Sequence, residues 1–249
     1  MLDRQSPQPL HSQLEEILRQ GIENEVWKPD SSIPSENELS NLYGISRMTV
    51  RSVLYLLVRE GLIYKVPGKG TFVSKPKIVL SQMAIQDQLE QMGYEISLKL
   101  VSIEKIIASS KVRNILNLSR DDQVYILKRI RYIKEEPFSI HISYIPVSLC
   151  PNLESKNLEG AQLCNILKDE YQVKIGRKVE TLESVIATTE EARMLSVKKS
   201  FSLLLLDSIV YAENDLPIEL SKVLFRGDKI KLHLEFNNNN NNNNSNSKV

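Results

Sequence analysis

Arg47, Thr49 and Arg51 fall in one short run, Tyr43-Gly44-Ile45-Ser46-Arg47-Met48-Thr49-Val50-Arg51. An arginine guanidinium is a planar fork that pairs bidentately with guanine and strongly with phosphate. Two arginines and a threonine at the start of a helix that follows a glycine turn have the chemistry of base-edge and backbone contact. Further on, Gly68-Lys69-Gly70 is a hairpin tip bearing one cation. A second constellation is Arg129 and Arg131, two residues apart in an apolar run that reads as a strand. Residues i and i+2 of a strand share a face, so these like charges stand side by side. They repel unless an anion lies between them or acids flank them. A bound phosphate or carboxylate would relieve the pair, and so would salt bridges to Glu135 and Glu136 on a solvated sheet.

The charge distribution supports the first constellation. The chain carries only +1 overall. Residues 1 to 43 hold three basic against eight acidic residues, whereas 44 to 76 hold six against one. Positive charge is therefore concentrated where a phosphate backbone would need it.

The surrounding residues supply elements to carry these groups. Ser35 and Glu38 form a capping box, so a helix starts there, with Leu39 and Leu42 facing inward. Gly44 ends it, because a left-handed residue is needed and glycine adopts that cheaply. Ser46 caps the next helix. Val50, Val53, Leu54, Leu57 and Val58 form its buried stripe. An earlier helix over Leu10 to Asn24 braces the pair, and Trp27 and Ile33 close the small core. Leu62 to Val66 and Thr71 to Ser74 read as two strands joined by Pro67-Gly68-Lys69-Gly70. The whole is a winged helix-turn-helix over residues 1–74, followed by a linker over 75–79.

Residues 80–236 form a second domain with an internal repeat. Ile107-Ala108-Ser109-Ser110 matches Ile186-Ala187-Thr188-Thr189, and Tyr132 matches Tyr211, at an offset of 79. Pro137-Phe138-Ser139-Ile140 matches Pro217-Ile218-Glu219-Leu220 at 80. Each half reads strand, short capped helix, long strand, tight polar turn, strand. Two such halves can share one antiparallel sheet covered by the helices. Helices are also expected over Leu80 to Met92, ended by Gly93, and within Leu158 to Tyr171. Residues 237–249, largely asparagine, have no apolar face and are expected to be disordered.

Composition excludes several classes. No apolar run is long enough for a transmembrane helix, and the N-terminal residues do not resemble a signal peptide. Cys150 and Cys164 lack metal spacing and fit a reducing cytoplasm, with a disulfide disfavoured. His11, His141 and His233 are scattered, so no metal, cofactor or catalytic set is implied.

The run from Pro9 to Pro76 resembles the DNA-binding domain of GntR-type bacterial transcription regulators. It does so through Pro34-Ser35-Glu36, Tyr43 to Arg51, Glu60-Gly61-Leu62-Ile63 and Gly68 to Pro76. In that family the positions of Arg47, Thr49 and Arg51, with the wing glycine, touch the operator. The family commonly has arginine after Pro-Ser-Glu, where this chain has Asn37. The expected DNA-contacting set is Ser35, Asn37, Ser46, Arg47, Thr49, Arg51, Gly68, Lys69 and Gly70.

The second domain is similar to the effector-binding UTRA domain of the HutC branch of that family. The segments carrying this are Lys128 to Tyr132, Glu136 to Ser139, Ser143 to Pro146, Pro217-Ile218-Glu219 and Arg226 to Lys229. The resemblance implies an α+β fold like that of chorismate lyase, with a small-molecule pocket. It implies Arg129, Arg131, His141 and Glu219 as effector contacts. His141 stands where sugar-phosphate sensors often have an acid, and Gln162 and Cys164 stand where Ser and Tyr are expected. The segment Gln82-Met83-Ala84 lacks hydroxyls that help hold phosphate. Arg226 and Asp228 read as a structural pair.

The expectation is thus a cytoplasmic, nucleoid-associated homodimer that binds double-stranded DNA at a pseudo-palindromic operator, with no membrane association. A sugar phosphate or organic acid would tune its affinity, and repression is the favoured mode. The alternatives are a regulator with a degenerate pocket and a lyase-like enzyme.

Overall fold

The computed structural model describes residues 2–80 and 89–233. Its contacts divide the chain into two units, Met1–Ile78 and Val79–Val249. No helix among the described residues is long and apolar enough to cross a membrane.

The first unit runs α1 (Leu10–Glu23), β1 (Ser32–Ile33), α2 (Glu36–Tyr43), α3 (Arg47–Arg59), β2 (Ile63–Val66) and β3 (Gly70–Val73). Leu14 and Leu18 of α1, Leu39 of α2, and Val50, Leu54 and Leu57 of α3 meet in one core with Ile33, Ile63 and Val73. Burying each such side chain stabilises by roughly 1.5–3 kcal/mol, so these few residues dominate the packing. Trp27 closes the core against Gly21, where a Cβ would lie 2.2 Å from the indole ring.

Both reading-unit helices start as their sequences dictate. Ser35 Oγ accepts from the Glu38 amide at 3.3 Å, and the Glu38 carboxylate accepts from the Ser35 amide at 2.8 Å. Gly44 ends α2 at φ +63°. Ser46 Oγ accepts from the Thr49 amide at 3.1 Å and so opens α3. The strands form a sheet in the order β1-β3-β2. One expectation fails here: Leu42 is 66% exposed. On this short helix the inward line runs from Leu39 to Tyr43 and on to Ile45, which pack against the core, and Leu42 falls beside it.

The second unit holds β5 (Ile96–Ile107), α4 (Ser110–Leu116), β6 (Gln123–Ile133) and β7 (Glu136–Pro146), then a 3-10 turn at Leu153–Ser155 and α5 (Leu163–Tyr171). It continues with β8 (Ile175–Ile186), α6 (Thr189–Met194), β9 (Ser202–Ala212) and β10 (Pro217–Arg226). The six strands make one antiparallel sheet in the order β5-β6-β7-β10-β9-β8. A separate two-stranded sheet pairs β4 (Ile78–Leu80) with β11 (Ile230–Leu232). Ile78 and Val79, read above as linker, are therefore strand residues.

The duplicated halves are two three-stranded meanders joined at β7 and β10. Ile142 stands opposite Lys222, and these residues are 80 apart, the offset that relates Pro137 to Pro217. A pseudo-twofold axis thus passes between them. The helices cross over that axis. Val112 and Leu116 of α4 pack with Leu220 of the other half. Ala192 of α6 and Leu195 just beyond it pack with Ile140 of the first.

The opposite face of the sheet is covered by α5 and the chain leading to it, through Leu153, Leu158, Leu163, Ile166 and Leu167 on Tyr125, Leu127 and Ile145. The helix expected within Leu158 to Tyr171 starts only at Leu163, since Gly160 turns at φ +77°. Of the helix expected over Leu80 to Met92, Leu89 to Gln91 is helical and Gly93 has φ +74°. Residues 81–88 and the Asn-rich tail lie outside the described residues.

Candidate DNA-reading face and effector site

On the first unit, Arg47 and Arg51 are exposed at the start of α3. Each is held by the first turn of α2. Arg47 Nη1 donates to Asn37 Oδ1 at 3.0 Å. Arg51 Nε donates to Glu36 Oε2 at 3.0 Å, and Lys65 Nζ of β2 donates to Glu36 Oε1 at 2.8 Å. Lys65 and then Arg51 hold the Glu36 carboxyl below the usual carboxylate range. The Thr49 and Ser46 hydroxyls lie 2.9 Å apart. Arg4 Nη2 donates to the Gly44 carbonyl at 2.8 Å and so ties the N-terminal segment to the turn between α2 and α3.

The wing closes through the Val66–Gly70 pair, with Gly68 at φ +75° and Gly70 at φ +125°. An L side chain at the Gly70 conformation is strained, so glycine is required to place Lys69 at the tip. Lys69 is exposed. Between the wing and the start of α2 lies an open cleft of about 570 Å³, lined by Ser35, Glu36, Lys65, Lys69 and Thr71 among others. Ser35, Asn37, Ser46, Arg47, Thr49 and Arg51 thus lie on the α2–α3 side of this unit, and Gly68, Lys69 and Gly70 on the wing. Sequence reasoning missed Glu36 as the acid that holds two of the cations. Its signal was an acid at the first position of α2, directly after the Ser35 cap.

On the second unit, strand register gathers the other four residues. Arg129 pairs with His141, and Arg131 with Ser139. Glu219 receives the Ser143 hydroxyl at 2.6 Å. Period two places Arg129, Arg131, Ser139, His141, Ser143, Glu219 and Ser221 on one face, that covered by α5. Arg129 and Arg131 are only 5% and 7% exposed. They are buried rather than solvated, which removes the salt-bridged surface reading. Arg129 Nη1 donates to the carbonyls of Ala161 at 2.9 Å and Leu158 at 3.3 Å.

The electrostatics follow from this burial. It pushes both guanidiniums down to about 10, and for Arg131 the neighbouring Arg129 adds to the effect. Burial, then Arg131, Arg129 and Lys178, hold the His141 imidazole well below its ordinary value, so it is neutral. Its Nε2 lies 2.9 Å from Ser139 Oγ. Burial raises the Glu219 carboxyl, while Ser143, Arg129 and Lys178 pull the other way. Next to it Ser208 Oγ donates to Glu180 at 3.0 Å, and Lys178 Nζ lies 2.6 Å from the same oxygen. Sequence reasoning missed the buried serines Ser139, Ser143, Ser208 and Ser221. For Ser139 and Ser143 the signal was a polar residue at every second position of Ser139-Ile140-His141-Ile142-Ser143.

Among the described residues no His, Cys, Asp and Glu cluster could hold a metal ion. Cys150 and Cys164 are free thiols, and burial pushes Cys150 up to about 12. Arg226 and Asp228 form the expected structural pair, at 2.8 and 3.1 Å.

Residues 10–73 match the family model described as bacterial regulatory proteins, gntR family, and residues 91–231 match that of the UTRA domain. The chain belongs to the GntR family, in its HutC branch. This GntR protein is 33% identical to the HTH-type transcriptional repressor NagR of Bacillus subtilis (strain 168), over 92% of this chain and 95% of that one. It is 24% identical to the histidine utilization repressor of Pseudomonas putida, over 94% of each chain. Among solved structures, PhnF from Mycobacterium smegmatis superposes with a TM-score of 0.64 at 21% identity. That match covers 90% of this chain and 99% of PhnF, and at this identity it shows the shared fold. A GntR-family protein of this kind is a DNA-binding transcriptional regulator and not an enzyme, so the lyase reading is dropped.

Proposed function

We propose that this GntR protein is a ligand-responsive repressor. Two copies bind a pseudo-palindromic operator, and a small anionic metabolite in the second unit of each copy weakens that binding. The observation that carries the reading is the buried pair Arg129 and Arg131, with Ser139, His141, Ser143 and Glu219 on the same face. Two buried like charges are costly, and an anion between them repays the cost through charge-assisted hydrogen bonds. The metabolite class is a sugar phosphate or an organic acid, with Glu219 and the serines taking its hydroxyl groups. Pairing of two copies is supported by the half-site logic of a helix-turn-helix. It is supported too by β8, a twelve-residue edge strand with little burial on either face. Ligand acts on DNA only by as much as it prefers one arrangement of the copies, a coupling of about 1–3 kcal/mol.

A second reading has its own support. Arg129 is already committed to two carbonyls, which fits a regulator whose pocket takes no effector. One experiment decides between them. The full-length protein is screened by thermal shift against sugar phosphates and organic acids, and each hit is titrated into a protein–operator mixture. A compound that raises Tm by several degrees and releases DNA selects the sensor, provided Arg131→Ala abolishes the release and spares operator binding. A screen with no stabilising anion selects the second reading.

A further inference from the structure

Glu36 opens α2 and meets cations from two other elements, Arg51 Nε of α3 at 3.0 Å and Lys65 Nζ of β2 at 2.8 Å. Beside it Asn37 takes Arg47 Nη1 at 3.0 Å. One helical turn therefore holds Arg47 and Arg51 of the reading helix and one lysine of the wing. An acid here weakens the pull of the face on any phosphate, because the phosphate must compete for the same cations. A face shaped for affinity alone would omit it. What the acid supplies is aim. A guanidinium held through Nε keeps both terminal nitrogens to present to the O6 and N7 of a guanine.

We propose that Glu36 is a specificity-setting positioning residue, which aims Arg51 at a guanine and discounts non-specific phosphate binding. This rests on α3 being the reading helix. Discrimination then comes partly from an element that disfavours the wrong partner rather than only from contacts with the right one.

The test uses the full-length chain and two duplexes: one enriched by that chain from a random-sequence pool, the other a scramble of equal length and composition. Binding is followed by fluorescence anisotropy across a sodium chloride series. Glu36→Gln should tighten the scrambled duplex and steepen its log–log salt slope by about one. The ratio of the two affinities should fall about tenfold. Arg51→Lys, which keeps the charge but has no fork to aim, should lose a similar ratio. Should Glu36→Gln fail to fold, this second variant carries the comparison on an intact α2, and an unchanged ratio overturns the proposal. A folded Glu36→Gln protein with wild-type ratio and slope overturns it as well. So does equal weakening of both duplexes, which marks Glu36 as a support of the fold. A wild-type chain that enriches no duplex removes the reading helix itself.

Discussion

Ser143 on β7 donates its hydroxyl to the Glu219 carboxylate on β10 at 2.6 Å, across the seam between the two halves of the sheet. Burial nevertheless raises that carboxyl above its ordinary range. A carboxyl that binds its proton more tightly in the folded than in the unfolded state stabilises the fold most at low pH. That contribution is lost as pH rises through the raised value. Glu219→Gln should therefore gain stability relative to wild type as pH is raised above the ordinary carboxyl value of about 4.3, as read from urea midpoints. A relative loss over that range would mean that the ionised form is the one the fold prefers.

His141 gives the opposite slope. Its imidazole is held neutral by burial and by Arg131, Arg129 and Lys178. The unfolded chain gains a proton near the ordinary value of about 6.5, and the folded chain resists it, so stability falls as pH drops below that value. The fall is at most about 1.4 kcal/mol per pH unit for one group. His141→Gln should flatten this limb of the pH–stability curve. An unchanged limb would assign the acid sensitivity to other groups.

Lys69 at the wing tip offers charge without a planar fork. Lys69→Ala should weaken selected and scrambled duplexes alike and reduce the salt slope by about one. A loss confined to the selected duplex would make Lys69 a base reader.

Gly21 tests the packing of the reading unit. An added Cβ would sit 2.2 Å from Trp27, so Gly21→Ala must displace the indole from the core. Overpacking of this kind costs typically 1–3 kcal/mol, which denaturant unfolding of the variant would detect. Wild-type stability would show that the indole yields freely.

Much of this organisation was legible because local rules and long-range packing agree. The capping box at Ser35, the glycine turn at Gly44 and the stripe from Val50 to Leu57 are local patterns that tertiary contacts only reinforce. The repeat announced one antiparallel sheet shared by two like halves, but not that β7 and β10 would be the strands that join them. Leu42 misled because a two-turn helix shows too little of its period to tell i+3 from i+4. Arg129 and Arg131 were placed on one face by parity alone, but parity says nothing of what covers that face. Their carbonyl partners at Leu158 and Ala161 come from a loop about thirty residues away. Glu36 was visible as a charge, yet its two cations lie on elements distant in sequence.

The exchange of α4 and α6 across the pseudo-twofold makes the two repeats mutually dependent. The inner strand of each meander is covered in part by the helix that its sibling supplies. A backbone cleavage between β7 and α5 would therefore yield fragments that are each incomplete alone, and that should reassociate into the native sheet when mixed.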